Sequence, residues 1–170
     1  KHKDIQLFAN ISRSYEPPTF DELVGTEVTS NINTSPKKLF SIGLEKQTAT
    51  IFEVGSKGRL RQLSWNVAYY HSWVNHEILE VKDYVRGLKR TENYPHTLHQ
   101  GLEIGIQAAS KPHFFGRNIG TFTLGAVYDY SRFIFKGGKY DGKYLAGIPK
   151  HYVNASLDYR HSSGFNGSVA

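Results

Sequence analysis

The stretch LSWNVAYYHSW, Leu63 to Trp73, decides how the rest of the chain is read. With the two-residue period of a strand, one face carries Leu63, Trp65, Val67, Tyr69, His71 and Trp73, and the other carries Ser64, Asn66, Ala68, Tyr70 and Ser72. In a soluble sheet the apolar face packs on a core and the polar face meets water. In a membrane barrel the apolar face meets lipid and the polar face lines a wet interior. The spacing of this stretch fits both.

The whole chain narrows the choice. Its 170 residues, 39% hydrophobic and 21% charged, suit one ordinary folded domain rather than a disordered segment. An aromatic share of 14%, with 11 Tyr, 10 Phe and 2 Trp, is high for a soluble domain and suits rings placed where two phases meet. The net charge is +6, but the cations are scattered in loops rather than gathered in a stripe, which argues against nucleic acid as a partner. The absence of cysteine excludes disulfides and thiolate metal sites. With no methionine and no leader-like start, the chain is expected to be an internal segment of a longer protein. No apolar run approaches the ~18 residues of a membrane helix, so any crossing falls to strands.

The alternation recurs along the chain. Leu102, Ile104, Ile106 and Ala108 oppose Gly101, Glu103, Gly105 and Gln107, and Phe122, Leu124, Ala126, Tyr128 and Tyr130 oppose Thr121, Thr123, Gly125 and Asp129. Val153, Ala155, Leu157 and Tyr159 repeat the pattern near the end, as do Ile5, Leu7, Ala9 and Ile11 at the start, while Thr48, Thr50, Phe52 and Val54 give a weaker case. No segment shows a 3.6-residue period. The pattern predicts an all-β antiparallel up-and-down meander, with strands at 4–14, 46–56, 60–82, 97–109, 118–134 and 149–162 and a seventh beginning near Gly167.

The predicted connections alternate in length. They are long from Tyr15 to Glu45, short at SKGR, long at YVRGLKRTENYPH, short at SKPHFFGR, long at KGGKYDGKYLAG and short at SSGF. Long loops at one end and short turns at the other are the arrangement of an outer-membrane barrel. Trp65 and Trp73 lie eight residues apart, about 26 Å along a strand. Tilted by ~45° that is about 19 Å of depth, near the height of a lipid-facing band between aromatic girdles. The opening stretch therefore reads with lipid on the Trp65 side and water on the Asn66 side.

At this point the chain resembles a known family. FANISRSYEPPTFDEL (Phe8 to Leu23) and TATIFEVGSKG (Thr48 to Gly58) are similar to strand-and-loop segments of TonB-dependent outer-membrane receptors. WNVAYYHSWVNHEILEV, TENYPHTLHQGLEIGI and YLAGIPKHYVNASLDYRHSSGF follow in the same order, so the resemblance covers nearly all of the chain. The EILEV and HQGLEIGI wording is most similar to the ferric citrate receptor group. The resemblance implies about seven strands of a 22-stranded plugged barrel of the Gram-negative outer membrane. It further implies an upstream plug, an upstream segment that contacts TonB, and active import of a ferric siderophore or similar chelate. Residues 1–170 are then a partial barrel domain, set among lipid and lipopolysaccharide.

Several residues acquire roles on that reading. Glu53 and Glu103 face the lumen beside glycines, where a plug can approach closely and a carboxylate can find a partner. Pro17 and Pro18 end a strand, because proline cannot donate to a ladder. Tyr84, Arg86, Lys89, Arg90 and Tyr94 fall in one long loop, and Lys136, Lys139, Tyr140, Lys143 and Tyr144 in another. Cations interleaved with rings suit anionic, flat-sided ferric chelates, and they also suit anionic glycolipid or plain solvent.

Other chemistry has little support. His96 and His99 have opposite strand parity, as do His71 and His76, so neither pair is preset for zinc or haem. Family members that import haem tend to carry Arg-Ala-Pro where this chain has Tyr15, Glu16 and Pro17, which lowers that reading further. No GxSxG elbow, P-loop or Rossmann pattern is present, so neither an enzyme nor a bound cofactor is expected. Two rivals remain open. One is a passive pore without a plug. The other is a soluble β-sandwich that stacks carbohydrate on Trp65, Tyr69 and Trp73.

Overall fold

The computed structural model describes residues 3–27, 38–41, 43–83, 88–114 and 117–170. In chain order these form β1 (Lys3–Glu16), a one-turn helix α1 (Phe20–Leu23), β2 (Val24–Glu27), β3 (Lys38–Ser41), β4 (Gln47–Leu60), β5 (Leu63–Asp83) and β6 (Leu88–Ala109). They continue with β7 (His113–Phe114), β8 (Arg117–Asn118), β9 (Thr121–Phe135), a 3-10 turn (Gly138–Tyr140), β10 (His151–Arg160) and β11 (Asn166–Val169). Seven strands, β1, β4, β5, β6, β9, β10 and β11, join in that order as an antiparallel meander. β2 and β3 pair with each other and touch the meander where Thr26 meets Lys89. β7 and β8 make a separate small hairpin.

The register sorts side chains as the alternation predicts. One cross-strand row runs Ile5, Gly58, Trp65, Ile106, Ala126 and Ala155, and two residues further along Leu7, Ser56, Val67, Ile104, Tyr128 and Val153 form the next row on that face. The row between them, on the opposite face, is Gln6, Lys57, Asn66, Gly105, Val127 and Asn154. No second sheet covers the apolar face among the described residues, and Leu7 is 83% exposed and Val153 68%. A soluble sandwich would bury that face, so the carbohydrate-binding sandwich is set aside. No helix among the described residues is long and apolar enough to cross a membrane.

Three glycines lie under aromatic rings of neighbouring strands. A Cβ on Gly55 would stand 2.3 Å from Phe8 Cζ, one on Gly58 2.6 Å from Trp65 Cζ2, and one on Gly101 2.3 Å from both Cζ and Oη of Tyr70. The missing side chain lets each ring lie flat across the neighbouring strand.

Several boundaries differ from the sequence expectation. SKGR is not a turn: β4 runs through it to Leu60, and the chain reverses at Arg61 and Gln62. Arg61 has φ 57, the left-handed first position of a tight two-residue hairpin. YVRGLKRTENYPH is not one long loop, because β5 extends to Asp83 and β6 starts at Leu88. SKPHFFGR contains the β7–β8 hairpin. Helix α1 was not expected, yet Thr19 and Glu22 carry a capping-box pattern. The Glu22 carboxylate accepts from the Thr19 backbone N–H at 2.6 Å and from its hydroxyl at 2.9 Å.

Candidate functional site

The longest strands lead to the site. β5 and β6 have 21 and 22 residues, about 70 Å of strand each, roughly twice what a membrane crossing takes. Beyond Trp73 and its partner Leu98 the hairpin continues as a paired projection up to Asp83 and Leu88.

A backbone swivel turns two side chains of this projection. His76 has φ 53 and lies between the pairs Asn75–His96 and Glu77–Tyr94, across from Pro95, whose ring supplies no donor. Such a φ is costly for a residue with a Cβ and needs external support. Asn93 supplies it, donating from Nδ2 to the His76 carbonyl at 2.7 Å and to the Glu45 carbonyl at 2.9 Å. Below the swivel, even positions of β6 lie on the apolar face. Above it, Glu77 and Tyr94 reach groups of the polar face.

Glu77 is buried, with its Oε2 taking the Thr97 hydroxyl and lying 3.2 Å from His99 Nε2. The His99 ring stacks on Phe133 at 4.2 Å and 4°, and Phe133 meets the edge of Tyr70 at 6.4 Å. Tyr94, also buried, donates its hydroxyl to the Gly137 carbonyl at 2.6 Å. Its ring lies 4.5 Å from Phe135 and 6.2 Å from Tyr140.

The segment from Lys136 to Lys150 is built rather than loose. Gly137, Gly138, Gly142 and Gly147 take φ between 66° and 82°, which favours glycine. Backbone bonds tie Lys136 to His96, Phe135 to Lys143 and Leu145 to Phe133, at 2.9 to 3.0 Å. This folds Tyr140 onto Phe135, with Lys139 and Lys143 Nζ at 5.2 and 5.9 Å from its ring centroid. Tyr94, Phe135 and Tyr140 thus form an aromatic cluster capped by two ammonium groups.

The expected site residues divide accordingly. Tyr94, Lys139, Tyr140 and Lys143 are brought together. Tyr144 is directed elsewhere, opposite Ile134 and under Lys150 at 3.6 Å, and Lys136 joins through its backbone with an exposed side chain. Lys89 and Arg90 belong to strand β6 rather than a loop, and Tyr84 and Arg86 lie outside the described residues. Glu53 is half-buried on the polar face between Asn10 and Tyr70. Glu103 is exposed there, directly opposite Asp129, and neither has a cationic partner among the described residues. Among those residues no group of three His, Asp or Glu side chains gathers to hold a metal.

Sequence reasoning missed Phe135, Glu77 and Thr97, and it weighed His99 only as a metal ligand. Strand parity separates Glu77 from Thr97 and His99, and it takes the His76 swivel to unite them. The Thr19-x-x-Glu22 spacing was the one overlooked signal with a known meaning.

A sheet with one exposed apolar face, one polar face and a raised aromatic–cationic end is the wall of a membrane β-barrel. The family model for the β-barrel of TonB-dependent receptor-like proteins matches residues 2–169, and the chain belongs to that family. A comparison with curated proteins found no match. The family consists of outer-membrane transport receptors rather than enzymes. In that frame the apolar face is outer, the polar face lumenal, and the raised end extracellular.

Proposed function

We propose that this chain is a wall segment of a 22-stranded, plugged outer-membrane receptor that imports ferric chelates, energised through TonB, which an upstream part of the protein contacts. The cargo class is a siderophore or ferric citrate complex. The observation that carries this reading is the cluster of Tyr94, Phe135 and Tyr140 with Lys139 and Lys143, set at the extracellular end of the lumenal face. Rings pack on the flat sides of such a chelate while ammonium groups attract its negative charge. Lys136 and Tyr144 flank it, and Tyr84, Arg86, Lys89 and Arg90 are further candidate ligand contacts on this reading.

Lower on the wall, Glu53 and Glu103 face the plug. Like charges directly opposite one another are unfavourable, so the Glu103–Asp129 pair suits a cationic plug side chain. The membership of a plugged-receptor family weighs against the passive pore.

The test uses the full-length receptor with ferric citrate as the probe. Replacing Lys136, Lys139 and Lys143 together by Gln is expected to weaken binding about tenfold at low salt, with the loss shrinking as salt screens the attraction. Unchanged affinity at low salt would remove the lysines from the site.

A further inference from the structure

The outer wall carries a second polar feature that ligand import does not use. Along one row of the lipid-facing side stand Ile11, Phe52, His71, Gln100 and Arg132. Its last three members are polar, in a face that is otherwise apolar or aromatic around them.

Their hydrogen bonds can be assigned from donor count alone. Arg132 can only donate, and its Nη1 lies 2.6 Å from Gln100 Oε1, which fixes the amide orientation. Gln100 Nε2 then donates to Tyr69 Oη at 3.2 Å and to His71 Nδ1 at 3.0 Å. His71 accepts at Nδ1, so its proton sits on Nε2. That atom is buried with no hydrogen-bond partner, and the ring lies 4.2 Å from Trp73. Every acceptor in the network is thus engaged, and the positive charge of Arg132 remains. No carboxylate pairs with it among the described residues, and Asp129 and Glu103 lie on the other face. His151, opposite Tyr130 on the next strand, adds an imidazole beside this spot.

Depth and charge together name the occupant. Arg132 lies one row inside Trp73, between that tryptophan and the Val54–Tyr69 row at mid-depth. A charge facing lipid there is less costly than at the midplane but more costly than at the interface, so it favours an anionic partner. A half-exposed guanidinium held by one edge and paired with no carboxylate keeps N–H groups for an anion drawn from the headgroup layer above it, and its fork matches a phosphate. We propose that Tyr69, His71, Gln100 and Arg132 form a binding site for the phosphate of a phosphorylated glycolipid in the outer leaflet. The inference rests on the membrane placement of the family and not on the identity of the cargo.

The experiment takes the full-length receptor, stripped of lipid by detergent exchange, and titrates it with bis-phosphorylated lipid A in bicelles. In parallel it is titrated with the same lipid after enzymatic removal of both phosphates, and with inorganic phosphate. Wild type is expected to bind the phosphorylated lipid at least tenfold more tightly than the dephosphorylated one. Arg132→Gln is expected to lose that preference, Arg132→Lys to keep part of it, and Arg13→Gln, on the same face but outside the network, to keep all of it. Heat-modifiable migration confirms that each variant has closed its barrel, and the lysine variant carries the test if the glutamine variant has not. Equal binding of both lipids by wild type, or an undiminished preference in both Arg132 variants, overturns the proposal. Equally tight binding of inorganic phosphate overturns the lipid assignment. None of these results bears on ferric citrate binding, so the two readings fail separately.

Discussion

Three glycines on the lumenal face offer a test that separates a movable clash from an immovable one. A Cβ on Gly101 meets the far end of Tyr70, at 2.3 Å from Cζ and Oη. The ring can swing away, but it then gives up its place across Gly101 and its edge contact with Phe133. Overpacking typically costs about 1–3 kcal/mol and the lost aromatic pair about 0.5–1.5, so Gly101→Ala is expected to destabilise the barrel by about 2–4 kcal/mol. A Cβ on Gly55 meets Phe8 Cζ at 2.3 Å and also the Val67 carbonyl oxygen at 2.5 Å, which is backbone. Gly105 has only the Asn66 carbonyl, at 3.8 Å, and an alanine there fits. The assay is guanidinium unfolding of the full-length receptor refolded into phospholipid. Tyr70→Ala should reduce the cost of Gly101→Ala by about 2 kcal/mol in a double-mutant cycle. Phe8→Ala should leave most of the Gly55→Ala cost in place, because the carbonyl remains. Gly105→Ala should be neutral or stabilising by about 0.5–1 kcal/mol. Additive behaviour of Gly101 and Tyr70, within about 0.5 kcal/mol, would refute the close-packing argument.

Two further outcomes follow from the faces and from the swivel. Val54→Arg, near mid-depth on the outer face, should cost about 2–4 kcal/mol of barrel stability, while Asn10→Arg on the lumenal face should cost far less; equal costs measured in the same unfolding assay would mean the faces are wrongly assigned. Thr97→Val removes a donor from the buried Glu77 carboxylate, a loss of about 1.5–3 kcal/mol, so amides of residues 93–97 should exchange hydrogen at least tenfold faster. Unaltered protection there would show that Thr97 does not hold the projection.

The wall was legible because alternation is a local property: each strand declares its faces without reference to its neighbours. The errors came where one residue type serves two purposes. SKGR suggests a turn at Gly58, but Gly58 lies beneath Trp65, while the actual reversal at Arg61 and Gln62 has no Gly, Pro or Asn to mark it. Pro95 and the charges around it disguised the upper half of the β5–β6 hairpin as a loop. The candidate site was half visible. Its residue types were recognisable, but the meeting of Tyr94 with Gly137 spans 43 positions, and no spacing in the sequence encodes such a contact.

The swivel at His76 divides the hairpin into two reading frames. Below it, membership of the inner or outer set is dictated by lipid, because a shift of one residue would put Asn66 and Glu103 into the bilayer. Above it, the count starts again at Glu77, so the positions offered to a ligand cannot be found by stepping in twos from the membrane. The upper frame is therefore free to change without cost to the lower. A substitution that returned His76 to extended backbone would swap the presented set, withdrawing Glu77 and Tyr94 and turning Ile78 and Asn93 inward. A receptor could thus acquire a new recognition surface by moving one torsion rather than by redesigning its wall.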